Sequence, residues 1–254
     1  MSLRRLALAC AVAWLCGAGP QARASGLQVT PTSLTLAPGR NADGLWLGNT
    51  GGQTLHAQVR VLHWTQQGGE EQLAPSHGLV ASPPMIELAP GARQLVRVIR
   101  TAPADGARED AYRVLVDELP LAPASAPPPA QDADAQRGLR FVLRYSVPVF
   151  LPPAGDAPAA PQLQGRLLED GGKRVLEVAN RGAAHAQLGN LVRVDVQGRR
   201  TELVPGLVGY VLPGSAMRWP LAADAPALSA GDRLASRING APDEQTLAVV
   251  GASP

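Results

Sequence analysis

The residue types that carry most enzyme chemistry are sparse in this sequence and poorly spaced for it. Its four histidines, His56, His63, His77 and His185, include no two at a metal-ligand spacing. The two cysteines, Cys10 and Cys16, both lie near the start of the chain, so a zinc or iron centre has almost no ligands to draw on. Asp117 and Glu118 are adjacent carboxylates, but neighbours on a strand point to opposite faces and cannot share a proton-transfer site. There is no Gly-x-Ser-x-Gly elbow, no glycine loop to cradle phosphate and no His-Glu-x-x-His. What remains is the chemistry of the backbone, and it concentrates in residues 139–151. Every odd position there (Leu139, Phe141, Leu143, Tyr145, Val147, Val149, Leu151) is apolar or aromatic, while the even set includes Arg140, Arg144, Ser146 and Pro148. Such alternation reads as a long β-strand with one apolar face. Pro148 has no N–H for a ladder, which places the strand at a sheet edge or bends it. A long apolar edge strand is a template for another chain. The Pro/Ala/Asp-rich residues 121–138 in front of it have little to bury and read as a mobile tether. The pattern favours a binding protein over a catalyst.

The elements that must position this strand are also β. Short alternating runs recur with turn residues between them, and no sustained helical period appears. Strands are expected at 27–36, 44–47, 57–64, 78–81, 85–88, 94–100 and 111–119, with a Gly/Glu loop at 68–71. With 139–151 that makes about seven or eight strands, the pattern of an antiparallel sandwich. Pro152-Pro153-Ala154-Gly155 marks a linker, and weaker strand patterns follow at 162–168, 174–179, 188–196, 201–204, 208–212, 233–238 and 245–250. Two echoes raise an internal duplication. Asn49-Thr50-Gly51 followed by His56-Ala57-Gln58-Val59 resembles Asn180-Arg181-Gly182 followed by His185-Ala186-Gln187-Leu188, and Leu88-Ala89-Pro90-Gly91 resembles Leu212-Pro213-Gly214. Common turn chemistry explains the same echoes equally well. Trp46, Trp64 and Trp219 read as core or half-buried sandwich residues.

The chain opens with Arg4 and Arg5, an apolar run over 6–18, and Ala22-Arg23-Ala24 before Ser25. This is the layout of a cleavable export signal, and the run is too short for a confident membrane span. Residues 1–24 are therefore expected to be absent from the mature fold, which spans 25–152 and 153–254 as two domains of roughly 100 residues each. Both cysteines leave with the signal, so the exported product is expected to be stable without disulfides. Of 23 basic and 21 acidic residues, the signal removes three arginines and no acid, which turns the formal charge from +2 to −1. Nucleic-acid binding then has no electrostatic support, and no later stretch is apolar for long enough to enter a membrane stably.

Three stretches, in order, resemble the periplasmic pilus chaperones of the chaperone-usher pathway. They are Ala81-Ser82-Pro83-Pro84 with Pro90-Gly91 and Gln94-Leu95-Val96-Arg97; Tyr112-Arg113-Val114-Leu115-Val116-Asp117-Glu118-Leu119-Pro120; and Leu143-Arg144-Tyr145-Ser146-Val147-Pro148-Val149-Phe150. The last is most similar to the archaic, spore-coat-type branch. The resemblance implies an all-β chain of two immunoglobulin-like sandwiches in a boomerang, without catalysis, nucleotide or cofactor. It implies capture of an incomplete pilus subunit by a lent edge strand, in the periplasm, and hand-over to an outer-membrane usher.

Carried onto these residues, the lent side chains would be Leu139, Phe141 and Leu143, with Tyr145 as a further member. The same odd face could instead pack inside the chain's own sandwich, which would turn Val142 and its even neighbours toward the partner. The family also holds the subunit's C-terminal carboxylate with basic groups on the first and lent strands. Residues 27–36 contain no Arg or Lys, near Thr32 or Ser33 where one would fall, and Arg144 is the candidate on the lent strand. A solvated strand charge is the alternative reading of Arg144. Arg97 and Glu118 match an internal ion-pair network near the domain junction, with ordinary surface pairing as the alternative. A structural pilus subunit or adhesin, and a secreted β-sandwich binding module, are the competing functions. The lack of a mature cysteine pair and the two-domain length oppose the first; sparse aromatics oppose the second.

Overall fold

The computed structural model describes residues 26–102, 106–120, 142–155, 159–226, 228–229 and 231–249. These residues form two immunoglobulin-like sandwiches, with no helix among them. The export signal, the tether at 121–138, Leu139 and Phe141 lie outside the described residues.

In the first sandwich, the run expected as one strand over 27–36 is two. β1 (Leu27–Thr30) and β2 (Leu34–Thr35) flank Pro31, which has no N–H to offer a ladder. They join different sheets, β1 pairing with β3 (Ala42–Asn49) and β2 lying parallel to β10 (Arg144–Leu151). The 13-residue β4 (Leu55–Gln67) continues past a glycine turn into β5 (Glu70–Pro75). That strand begins inside the loop expected at 68–71 and continues through residues for which no strand was expected. All six of its residues are exposed, so no buried face marks it in the sequence. β6 (Leu79–Ser82), β7 (Met85–Leu88), β8 (Arg93–Arg100) and β9 (Asp110–Leu119) lie within a residue or so of their expected positions. One sheet runs β1-β3-β8-β6 and the other β2-β10-β9-β4-β5, with β7 also on β4. Leu36, Leu45, Leu47, Val96, Val98, Val114 and Val149 fill the space between the sheets, each wholly buried.

The second sandwich contains β11 (Leu163–Asp170), β12 (Lys173–Asn180), β13 (Ala186–Val194), β14 (Arg200–Val211), β15 (Ala216–Pro220), β16 (Arg233–Ile238) and β17 (Glu244–Val249). The two runs expected at 201–204 and 208–212 are one strand, β14, whose pairing with β13 slips at irregularities beside Pro205-Gly206. β15 was not expected from the sequence. The path β14-β13-β16-β17-β11-β12-β15 encloses Leu176, Val178, Leu188, Leu191, Leu234 and Leu247.

A shared hydrogen-bond node relates the two sandwiches. Asn49 is 2% exposed, and its amide donates to the carbonyls of Gln53 (2.7 Å) and Leu88 (2.9 Å) while its oxygen accepts from Gly51 N–H (2.9 Å). Asn180 is 1% exposed and donates to Ala184 (2.8 Å) and Val211 (3.1 Å) while accepting from Gly182 N–H (2.9 Å). Gly91 N–H donates to the Asn49 carbonyl (2.9 Å) as Gly214 N–H does to that of Asn180 (2.8 Å). The Asn-x-Gly and Pro-Gly echoes are thus one repeated structural device. The histidine echo is not part of it: counted from the node, His185 corresponds to Thr54 and His56 to Gln187.

Candidate functional site

β10 pairs with β9 antiparallel from Arg144 opposite Asp117 to Leu151 opposite Asp110. Glu118 N–H donates to the Leu143 carbonyl (2.9 Å). Antiparallel ladders alternate, so the odd residues of β10 bond to β9 and the even residues turn their backbone groups to the other edge. On that edge β2 meets only Val149 and Phe150, through Leu36 N–H on the Phe150 carbonyl (2.9 Å). From Arg144 to Pro148 no strand covers it among the described residues. Pro148 belongs to this outward set, so its missing N–H removes no bond from the ladder.

The side chains divide the same way. Val147, Val149 and Leu151 are buried between the sheets, and Leu143 and Tyr145 pack against that core from its rim. Tyr145 O–H donates to the Leu27 carbonyl (2.7 Å) and so ties β10 to β1 of the opposite sheet. Val142, Arg144 and Ser146 are exposed. From Leu143 onward, then, the odd face of the free chain belongs to its own sandwich.

Arg144 lies flat on the outer face, its Nε on Asp117. Arg60, from β4, reaches the same carboxylate from the other side (2.7 Å). Burial pushes the Asp117 carboxyl up, but hydrogen bonds and charge from Arg144 and Arg60 outweigh it and hold the group below the usual aspartate range. Glu118 Oε2 accepts from Leu143 N–H (3.2 Å). Arg97 is exposed on β8 of the opposite sheet, so the structure does not bring Arg97 and Glu118 together. Arg144 and Glu118 also sit at the end of the ladder away from Phe150, about 20 Å along the strand at ~3.3 Å per residue.

Other residues make the contacts between domains. Trp64, Ala111 and Phe150 pack with Leu212 and Tyr210 of the second sandwich. The Phe150 ring stacks on that of His185, 3.5 Å between centroids and 3° from parallel. His185 in turn meets Glu109 through its ring Nδ1 (2.7 Å) and its backbone N–H (2.9 Å). Gln66 donates to the Tyr210 carbonyl (2.9 Å) and accepts from Leu212 N–H (2.8 Å). Arg113 lies 3.6 Å from the Trp64 ring centroid and bonds Glu71 (3.0 Å). Beyond the turn, Gly69 bridges to Met217 on β15. Sequence reasoning missed this joint. Its one visible sign is Phe150, an aromatic residue on the parity otherwise held in β10 by Arg144, Ser146 and Pro148.

No group of histidine, cysteine and acidic side chains suited to a metal occurs among the described residues. What β10 offers chemically is backbone: the N–H and C=O groups of Arg144 and Ser146 on an open edge, beside a face of arginines and a clamped carboxylate.

In comparisons with known proteins, the family model described as pili and flagellar-assembly chaperone, PapD N-terminal domain, matches residues 26–156. No curated protein matches the sequence. Among solved structures, the chain is similar to one from the CsuC–CsuE chaperone–tip adhesion subunit pre-assembly complex of archaic Csu pili of Acinetobacter baumannii, with 21% identity over 89% of this chain and 99% of that one and a TM-score of 0.70. The Pseudomonas aeruginosa chaperone CupB2 is 18% identical over 88% of this chain and all of its own (100%), TM-score 0.57. The Escherichia coli chaperone DraB is 18% identical over 89% and 97%, TM-score 0.57. These likenesses show a common fold of two immunoglobulin-like sandwiches. The family match spans more than half of the chain, from β1 past the end of β10, and with it the chain belongs to the pili and flagellar-assembly chaperones.

Proposed function

We propose that this protein is a periplasmic chaperone that captures pilus subunits by lending them β10 and passes them to an outer-membrane usher. The open edge of β10 from Arg144 to Pro148 carries this reading. A strand paired on one side only can accept a further strand, with backbone bonds giving affinity and alternate side chains giving specificity. Leu139, Phe141 and Leu143 share the parity of the side chains buried in the sandwich. A subunit continuing the sheet would receive them as an extension of the same apolar layer. Burying Leu139 and Phe141 contributes about 3 to 6 kcal/mol gross, at ~1.5 to 3 each, before ordering costs, and Leu143 adds less because it already packs on the chain's own core. Arg144 faces the other way, 65% exposed, and is the basic group offered to a subunit carboxylate. A charge-assisted bond there adds about 1.5 to 3 kcal/mol, less than strand insertion. The charged layout of residues 1–24 supports export, and similarity to a chain of an archaic Csu complex supports that branch.

Co-expression with a candidate subunit tests the proposal. Phe141→Glu combined with Leu139→Glu should leave a folded chain that no longer co-purifies with the subunit one to one. Undiminished co-purification would remove the lent strand from this segment. Polymerisation of the chain itself would make it a subunit rather than a chaperone.

A further inference from the structure

We infer that Asp117 is a positioning residue that fixes which residues of β10 stand at its open edge. The inference rests on the reading of β10 as the lent strand, but its structural part holds for the free chain. Alternation alone does not set the register of β10. Leu143, Tyr145, Val147, Val149 and Leu151 are all apolar or aromatic, so a slip of two residues exchanges one such side chain for the next and keeps every parity. Strand and joint contacts hold one end, where β2 touches Val149 and Phe150 and the domain joint holds Phe150; toward the other end the Tyr145 O–H bond to the Leu27 carbonyl ties β10 to the opposite sheet. At the other end β10 has β9 on one side and an open edge on the other.

There Asp117 supplies what the apolar pattern lacks. Its side chain is 12% exposed and lies between Arg60 of β4 and Arg144 of β10, tying three adjacent strands. Glu118 N–H donates to the Leu143 carbonyl and Leu143 N–H to the Glu118 carboxylate, so Arg144 and Asp117 form the next, non-bonded pair of the ladder, where side chains approach most closely. A two-residue slip would put Ser146 or Val142 opposite Asp117, and neither replaces the Arg144 cation, which leaves the buried carboxylate with Arg60 alone. The register with Arg144 opposite Asp117 is thereby selected, and with it the residues that a partner strand meets.

The only native cysteines are Cys10 and Cys16, so a disulfide can serve as a ruler once both are replaced by serine. Ser146 stands opposite Leu115 in a non-bonded pair, where the Cα separation of about 4.5 Å suits a bridge. Ser146→Cys with Leu115→Cys reports the native register. Pro148→Cys with Leu115→Cys reports a slip of two. In the full chain without partner, Asp117→Asn should lower the native bridge yield and raise the slipped one, each several-fold, while Asp117→Glu should retain the native bridge. Equal yields with and without Asp117→Asn, in chains whose circular dichroism shows them folded, would overturn the inference. Arg144→Ala should reproduce the Asp117→Asn result, and native yields in that variant would likewise count against it. A slip that leaves subunit co-purification unchanged would uphold the role of Asp117 and refute the lent-strand reading.

Discussion

Replacing Asn49 by alanine tests the hydrogen-bond node on which each sandwich closes. The side chain makes three bonds, to Gln53, Leu88 and Gly51, at 2.7 to 2.9 Å. Each contributes about 1 kcal/mol net, so truncation should cost ~3 kcal/mol, and more if the two carbonyls stay dry. Asn49→Asp sharpens the test because it keeps shape and acceptor but turns a carboxylate onto two carbonyls. At neutral pH it should cost at least as much as alanine, and part of the loss should return on acidification, when the acid regains a donor. Urea unfolding followed by tryptophan fluorescence reads the effect, since Trp46 and Trp64 lie in the first sandwich and Trp219 in the second. With an m-value of roughly 1–3 kcal/mol/M, the first sandwich's midpoint should fall by about 1–3 M. A fall below about 0.3 M in the alanine variant would refute the accounting. Asn180→Ala should act on the Trp219 transition in the same way, with a somewhat larger cost, because Asn180 also accepts from Gln162 N–H (3.0 Å). The two nodes share no partner, so the double variant should be additive within about 0.5 kcal/mol.

Two further outcomes follow from the charged face and the joint. The Asp117 carboxyl lies below its ordinary range in the folded chain, so its stabilisation is present above the unfolded value and is lost as pH falls through the folded one. The difference in urea midpoint between the parent chain and Asp117→Asn should therefore be full at pH 7 and close below about pH 4; a gap that does not change with pH would contradict it. Phe150 is 3% exposed between the domains, and Phe150→Ala should cost about 3–5 kcal/mol. Calorimetry should then resolve two transitions, whereas an unshifted transition would mean that the ring is not what couples the sandwiches.

Much of the fold was legible because burial leaves a period in sequence. The strands β6 to β9 and those that begin the second sandwich lie within two or so residues of their expected positions, whereas the run expected over 139–151 is strand only from Arg144 to Leu151 among the described residues. β5 was invisible because all of its side chains face water. The break between β1 and β2 was written in Pro31, but the change of sheet depends on which neighbours the two halves find. Among the site residues, alternation separates Leu143 and Tyr145 from Arg144. It did not show that Tyr145 O–H would reach Leu27, or that Arg144 would lie far along the strand from the joint. The contacts of Phe150 with His185 and of Gln66 with Tyr210 join segments far apart in the chain, and single-residue patterns do not carry such pairs. Arg97 and Glu118 illustrate the same limit: their placement came from motif resemblance, and the structure puts them on different sheets.

β10 is one continuous strand with its open edge at one end and the Phe150–His185 stack at the other, and this makes the two ends thermodynamic correspondents. Any binding at Arg144 to Pro148 that steadies the ladder with β9 also steadies the segment carrying Phe150. Any change that loosens the stack weakens the ladder from the opposite end. The coupling is reciprocal: the factor by which an ordered joint improves binding at the edge equals the factor by which binding at the edge favours the ordered joint. A strand that paired with that edge and steadied β10 would therefore be felt as rigidity between the two sandwiches.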